Sequence, residues 1–389
     1  MKNRSFSKCI AWLTGLGFFL LLLCLMALTL FQKPAEVSYY ENRKLNGAPA
    51  FSLEGVLDGS FFSGAEEYLR DRSAGRERLL LANTYLDLKL LKRPVVNGVL
   101  VSGEKVLAYH DYEPMDQALF AARAEEAASG IQSAAEATKK AGGRYYYMAI
   151  PSQSVAYAES YPSMLNSSYE IDTAQVAALA KALEERGISF VDMGKEDWKK
   201  EYLSVVDHHY LLPGILHSYR TLIDRINADT DFDLKLLAEE DYEIKTLPNP
   251  HIGSRSRKLM GLFSTEEKVS YLEMREQIAF DRYDYGGKAE STVVSLPQNA
   301  EQEVAYAIYM GGDFGATRIE THREELPSIL IYGDSFTNGL ESVIWQNFNT
   351  MYSYDLRHYT EKTIEECIEE YQPDIVVYLR NYSDILKKE

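Results

Sequence analysis

The stretch Ser328-Ile-Leu-Ile-Tyr-Gly-Asp-Ser-Phe-Thr-Asn-Gly-Leu340 decides how the rest of the chain is read. Its apolar start, Ile329 to Tyr332, has the length of a buried strand. Gly333-Asp334-Ser335 interrupts the run, and a helix is expected from about Thr337. A serine at a strand-to-helix turn stands proud of its sheet. Its N–H belongs to a helix N-terminus, where negative charge is stabilised. An acyl-transfer nucleophile needs that pairing of an exposed oxygen with a donor for the oxyanion that forms. The same residues also suit an ordinary turn, with glycine bending the chain and Asp334 or Ser335 capping the helix.

Outward from this stretch, helix and strand patterns alternate. Ala118 to Lys140 is Ala/Glu-rich and helical, ending at Gly142-Gly143, and Arg144 to Ile150 is a strand. Asp172 to Arg186 is a helix, Ile188 to Val191 a strand, and Leu212 to Asn227 a helix with Pro213 in its first turn. After Ser335 come a helix over 338–348, a strand from Thr350 to Asp355, a helix from Glu361 to Glu370 and a last strand from Asp374 to Leu379. Strands spaced by helices predict βαβ units, a central parallel sheet and a three-layer α/β/α domain over 116–389. Residues 228–325 are less regular and read as an insertion. Sites in such sheets form at the carboxyl ends of strands, where Ser335 and Asn381 would both lie.

The N-terminus is of another kind. Cys9 to Phe31 contains no charge, and its 23 residues are long enough for a hydrocarbon core of roughly 30 Å. The exit, Ala27-Leu-Thr-Leu-Phe-Gln-Lys33, is a poor cleavage site, so residues 1–31 read as an uncleaved transmembrane signal anchor. Lys2, Arg4 and Lys8 precede it and predict a single-pass protein of the cell membrane, with a cytoplasmic N-terminus and an extracytoplasmic remainder. Residues 32–115 read as linker and N-terminal extension. Pro34, Gly47 and Pro49 mark the linker, 61–92 has helical spacing, and Val95 to Val101 forms two strands around Asn97-Gly98.

The chain of 389 residues carries a formal net charge of −17, and residues 9–389 carry −20 once Lys2, Arg4 and Lys8 are set aside. A domain this acidic repels nucleic acid, and no cluster of Lys/Arg with interleaved aromatics offsets it. The 28 tyrosines against 3 tryptophans suit sugar contacts as well as cores. Beyond the apolar segment only Cys367 remains, so neither an intradomain disulfide nor a Cys-based zinc site is expected there. No resident cofactor is expected.

A serine nucleophile needs a base, and the base an orienting carboxylate. Val205-Val-Asp-His-His-Tyr210 supplies both. In an extended segment positions i and i+2 share a side, so Asp207 and His209 would serve one site while His208 faces away. The competing readings are helix capping before Leu212, or a metal site of Asp207, His208, His209 and His217.

Two blocks then resemble a known family. Tyr332-Gly-Asp-Ser-Phe336 looks like the nucleophile block of SGNH, or GDSL-type, hydrolases. Asp207-His-His-Tyr210 resembles the defining block of the DHHW proteins, which are similar to the catalytic domains of bacterial alginate O-acetylation proteins. The order Asp207, His209, Ser335 matches those relatives, as do Tyr40-Glu-Asn-Arg43, Ile150-Pro-Ser-Gln-Ser-Val155 with Tyr161-Pro162, and Asp355-Leu-Arg357. The resemblance spans roughly residues 36–389 and departs at Tyr210, where the family block has tryptophan. It implies an SGNH-like fold and a Ser335–His209–Asp207 triad supported by Gly333, Asp334 and Tyr210. For the oxyanion it points to Asn381, with Arg357 or Gly311-Gly312 as further candidates. It also implies transfer or hydrolysis of O-acetyl groups on a cell-surface or exported polysaccharide, with a membrane-embedded O-acyltransferase partner as acyl donor. The alternatives are a non-catalytic glycan-binding or export-scaffold protein on a degenerate fold, and a secreted esterase.

Overall fold

The computed structural model describes residues 2–31, 36–41, 43–111 and 114–387, the side chains of 2–10 and 30 excepted. The chain divides into two compact units, Met1–Asn97 with Arg257–Phe263, and Gly98–Ser256 with Ser264–Glu389. The second begins at Gly98 rather than at 116. The hairpin of Val99–Ser102 and Lys105–Ala108 belongs to it, because the Val106 N–H donates to the Val205 carbonyl at 2.7 Å.

In the first unit, helix α1 (Lys2–Phe31) contains Ala11–Thr29, a segment of mean hydropathy 2.3 that is long and apolar enough to cross a membrane. Short helices follow at Leu53–Leu57, Ser60–Asp71 and Arg76–Tyr85, the last continued by a turn over Leu86–Leu90. The Arg43 guanidinium clasps the buried Asp71 carboxylate through two nitrogens and holds it well below the usual carboxylate range. The Asn46 N–H donates to the same carboxylate at 2.9 Å. Arg43 and Asn46 therefore fasten their segment to the end of the Ser60–Asp71 helix.

The second unit is built on eight strands: β1 (Arg144–Ile150), β2 (Ser189–Asp192), β3 (Asp281–Asp284), β4 (Gly287–Lys288), β5 (Ala316–Glu320), β6 (Ser328–Gly333), β7 (Thr350–Asp355) and β8 (Ile375–Asn381). Their order across the sheet is 4-3-5-7-6-8-1-2. The five from β7 to β2 are parallel, as the alternation predicts. The outer three are antiparallel and come from residues 281–320, so part of the irregular stretch 228–325 extends the sheet.

Helices α2 (Gln117–Lys140), α3 (Tyr169–Glu184) and α6 (Ile364–Tyr371) cover one face. They pack on Tyr145, Tyr147, Leu330, Tyr332 and Val376, every second residue of β1, β6 and β8. Helix α6 starts at Ile364 rather than 361, because Thr363 and Glu366 form a capping box there. Helices α4 (Leu212–Asp229) and α5 (Thr337–Ile344) take the other face, where the Ser353 hydroxyl of β7 donates to Glu341 of α5 at 2.6 Å. The three-layer α/β/α architecture expected from the sequence is the one observed.

Candidate active site

Ser335 lies in the turn between β6 and α5 and is 7% exposed. Gly333 makes the turn feasible. Its φ is +153°, and a Cβ there would stand 2.3 Å from the Leu379 carbonyl of the neighbouring strand. The Asp334 carboxylate accepts the Phe336 N–H at 2.9 Å, so Asp334 does form a turn bond, as the capping reading holds.

The Asp207 loop is not extended. The Asp207 carboxylate collects the backbone N–H groups of His208 at 2.6 Å and His209 at 3.2 Å, which curls the chain around it. The His209 ring then returns to the same oxygen, Nδ1 to Oδ1 at 2.8 Å, and its Nε2 meets Ser335 Oγ at 2.8 Å. A side chain 126 positions away in sequence is thus brought into line with the nucleophile. His208 does not simply face away, because the curl carries its Nδ1 to 2.7 Å from Ser254 Oγ and 3.0 Å from Asp207.

The loop is held from outside by residues that carry no sequence signal. The Ser254 N–H donates to Asp207 Oδ2 at 2.8 Å and its hydroxyl to Oδ1 at 3.2 Å. The Ser204 hydroxyl accepts the Asp207 N–H at 2.9 Å and donates to Glu267, whose other oxygen accepts the Val205 N–H at 2.8 Å. The Tyr306 ring stacks on the His209 imidazole at 3.8 Å between centroids and 1° between planes. Tyr210 stacks on Phe336, and its hydroxyl donates to the Phe336 carbonyl at 2.7 Å. Tyrosine in place of the family tryptophan therefore ties the histidine loop directly to the nucleophile turn.

Burial pushes the His209 imidazole down to about 4, assisted by His208 and opposed by Asp207. It is therefore neutral at pH 7, with Nδ1–H toward Asp207 and the Nε2 lone pair toward the Ser335 hydroxyl. Burial alone would raise the Asp207 carboxyl, but His209 and His208 outweigh it and keep the group ionised. The arrangement can take a proton from Ser335 and hold the resulting imidazolium against a carboxylate.

The two named oxyanion candidates both have partners outside the triad. Asn381 is the last residue of β8 rather than lying beyond it, and it is buried. Its amide donates to the carbonyls of Ile150 at 3.4 Å and Pro151 at 3.3 Å, while its oxygen accepts the Ser383 N–H at 3.0 Å. Arg357 binds Asp355 through Nε at 3.0 Å and Asp313 through Nη2 at 2.9 Å. Gly311 and Gly312 both have positive φ in a turn. His217 meets the Glu196 carbonyl and Trp198, and among the described residues it joins no group of potential metal ligands.

No protein-family model matches the chain, and no curated protein matches it in sequence. Solved structures do. Bacillus cereus PatB1, determined with a sulfonyl adduct, superposes with a TM-score of 0.62 at 18% identity, over 74% of this chain and 95% of its own. A DHHW family protein from Eubacterium siraeum gives 0.52 at 14%, over 76% and 94%. This chain shares their fold. The O-acetyltransferase domain of Pseudomonas putida AlgJ matches at 0.46 and 10%, over 75% and 93%. The fold shared with the DHHW protein agrees with the resemblance read from Asp207-His-His-Tyr210.

Proposed function

We propose that this protein is a membrane-anchored, extracytoplasmic serine acyltransferase or esterase acting on O-acetyl groups of a cell-surface or exported polysaccharide. The observation that carries the reading is the continuous chain Asp207–His209–Ser335, with both links at 2.8 Å. The fold shared with PatB1, a protein solved with a sulfonyl adduct, and with a DHHW protein supports it. So do the apolar helix and the family blocks in the sequence.

In the proposed reaction His209 Nε2 takes the Ser335 proton as Oγ attacks an ester carbonyl. The oxyanion is met by the Ser335 N–H at the head of α5. Collapse expels the leaving alcohol, which receives the proton from His209, and leaves an acyl-serine. A sugar hydroxyl or water, deprotonated by the same imidazole, then takes the acyl group and frees Ser335. Transfer rather than hydrolysis requires a membrane-embedded O-acyltransferase partner to bring the acyl group to this side.

A sulfonyl or phosphonate probe tests the reading. It is expected to label Ser335, located by mass spectrometry, and to label nothing in Ser335→Ala. Acetyl release from, and transfer to, oligosaccharides should vanish in the same variant. Equal labelling or equal acetyl turnover in both proteins would overturn the triad.

A further inference from the structure

We infer that His251 is a positioning residue for the acyl transfer, setting through Glu267 and Ser204 where Asp207 stands behind His209. This role rests on the reading of Asp207–His209–Ser335 as the acyl-transfer triad. The His251 side chain is only 2% exposed, and its Nδ1 stands 3.0 Å from Glu267 Oε1, within ion-pair distance though out of line for a hydrogen bond. Among the described residues Glu267 is the only acid in such contact with it.

Glu267 passes this contact on to the catalytic loop. Its Oε1 also accepts the Ser204 hydroxyl at 2.5 Å, and its Oε2 accepts the Val205 N–H at 2.8 Å. Ser204 Oγ in turn accepts the N–H groups of Val206 at 3.1 Å and Asp207 at 2.9 Å. One carboxylate and one hydroxyl therefore fix three consecutive N–H groups, 205 to 207, that lead into the triad acid. The Glu267 side chain is 10% exposed, and a carboxylate so buried keeps its place only when it is met on all sides. Ser204 and Val205 meet it from the loop, and His251 supplies the remaining contact. The segment carrying His251 also touches the loop directly. A Cβ at Gly253 would stand 2.3 Å from the Val206 carbonyl, and the Ser254 N–H donates to Asp207 Oδ2 at 2.8 Å. His251 lines a small cavity together with Ser204, Asp207 and His209, so the loop has space to shift once the ring is removed. A shift of about 1 Å in Asp207 would misaim the imidazole and cost turnover rather than binding.

The test is steady-state hydrolysis of an activated acetyl ester by the full chain, with active sites counted by a serine-reactive phosphonate. His251→Ala is expected to lower kcat per titrated site about ten-fold and to leave KM unchanged. His251→Asn, whose amide NH2 can take the place of Nδ1–H, should restore about half of the wild-type kcat. His251→Gln, with its NH2 at the place of Nε2, should stay as slow as His251→Ala. Ser204→Ala cuts the relay, so adding His251→Ala to it should slow it no further. Wild-type kcat per site in His251→Ala would overturn the inference, as would losses that multiply in the double variant. Fewer titratable sites with kcat per site intact would make His251 a residue of the fold alone and overturn it equally. Where His251→Ala does not fold, equal rates for the Asn and Gln variants would overturn it. The triad reading fails separately, through a Ser335→Ala protein that hydrolyses the ester as fast as wild type.

Discussion

Replacing Asp207 by asparagine separates the charge of the triad from its shape. Five donors surround the carboxylate, three N–H groups, from His208, His209 and the His209 ring, with the Ser254 hydroxyl on Oδ1, and the Ser254 N–H on Oδ2, and the His208 ring Nδ1 also stands 3.0 Å from Oδ1. An amide must present its NH2 to one side. Facing Oδ1's partners it would meet four donors; facing Oδ2's it meets one. The second orientation is therefore preferred, at a cost of roughly 1–3 kcal/mol for the facing N–H pair. The correct histidine tautomer survives in that orientation, but the charge opposite the imidazolium is gone. A serine-protease triad treated the same way loses about 10⁴ in rate, largely through the wrong tautomer. Asp207→Asn should lose somewhat less here, about 10²–10³ in kcat with KM little changed. The acid limb carries the sharper test. Asp207 raises the His209 pKa, which stands at about 4 in the native protein, so its removal moves the limb to lower pH. Steady-state hydrolysis of an activated acetyl ester between pH 3.5 and 8 measures both effects. A limb that moves upward, or an unchanged kcat, would refute the assignment of Asp207.

In the wild type, ester hydrolysis should hold its rate from pH 7 down to 5 and halve near pH 4, since the base must be neutral; a midpoint near 6.5 would show an unburied imidazole. Ser254→Ala removes one hydroxyl bond to Asp207 and should lower kcat about ten-fold, the effect of roughly 1.4 kcal/mol, without changing KM. Glu341 is buried with its carboxyl pushed up to about 7, above its unfolded value, so its stabilising protonated form is lost as pH rises through that range. Glu341→Gln, which still accepts from Ser353, should therefore gain about 3 kcal/mol over wild type at pH 8.5 and almost nothing at pH 4, read by denaturant melts. Gly333→Ala should cost about 2–5 kcal/mol and abolish probe labelling, because its Cβ meets the Leu379 carbonyl; native-like stability would contradict the turn geometry.

Sequence reading reached the parts of the site that sit on periodic elements or within short blocks. Strands β1, β6, β7 and β8 are apolar runs, and the serine turn and the Asp-x-His pair are local. It missed Ser254, Glu267 and Tyr306, which lie in the stretch without periodicity and reach the loop across 47 or 62 positions and more. No spacing rule connects such residues; only the fold does. His208 was misread because an extended backbone was assumed where the carboxylate gathers N–H groups and bends the chain. Asn381 was placed outside the last strand because Arg380-Asn381 is polar, yet both are buried at a central strand's end. The antiparallel edge was unreadable for a simpler reason: β3 and β4 have four and two residues.

The strand order 7-6-8-1-2 has a consequence for how the protein comes to be active. The histidine loop is tied to the β1 side of the sheet, for Gln153 just beyond β1 donates to the Ser204 carbonyl at 2.9 Å. The serine follows β6. Between these halves lies β8, the last of the eight strands in chain order. A chain stopped before Ile375 would hold Asp207, His209 and Ser335, joined by the Tyr210–Phe336 contact but not by a continuous sheet. The continuous sheet under both halves therefore forms only once β8 is paired along both edges, which makes that strand the keystone of the site's scaffold.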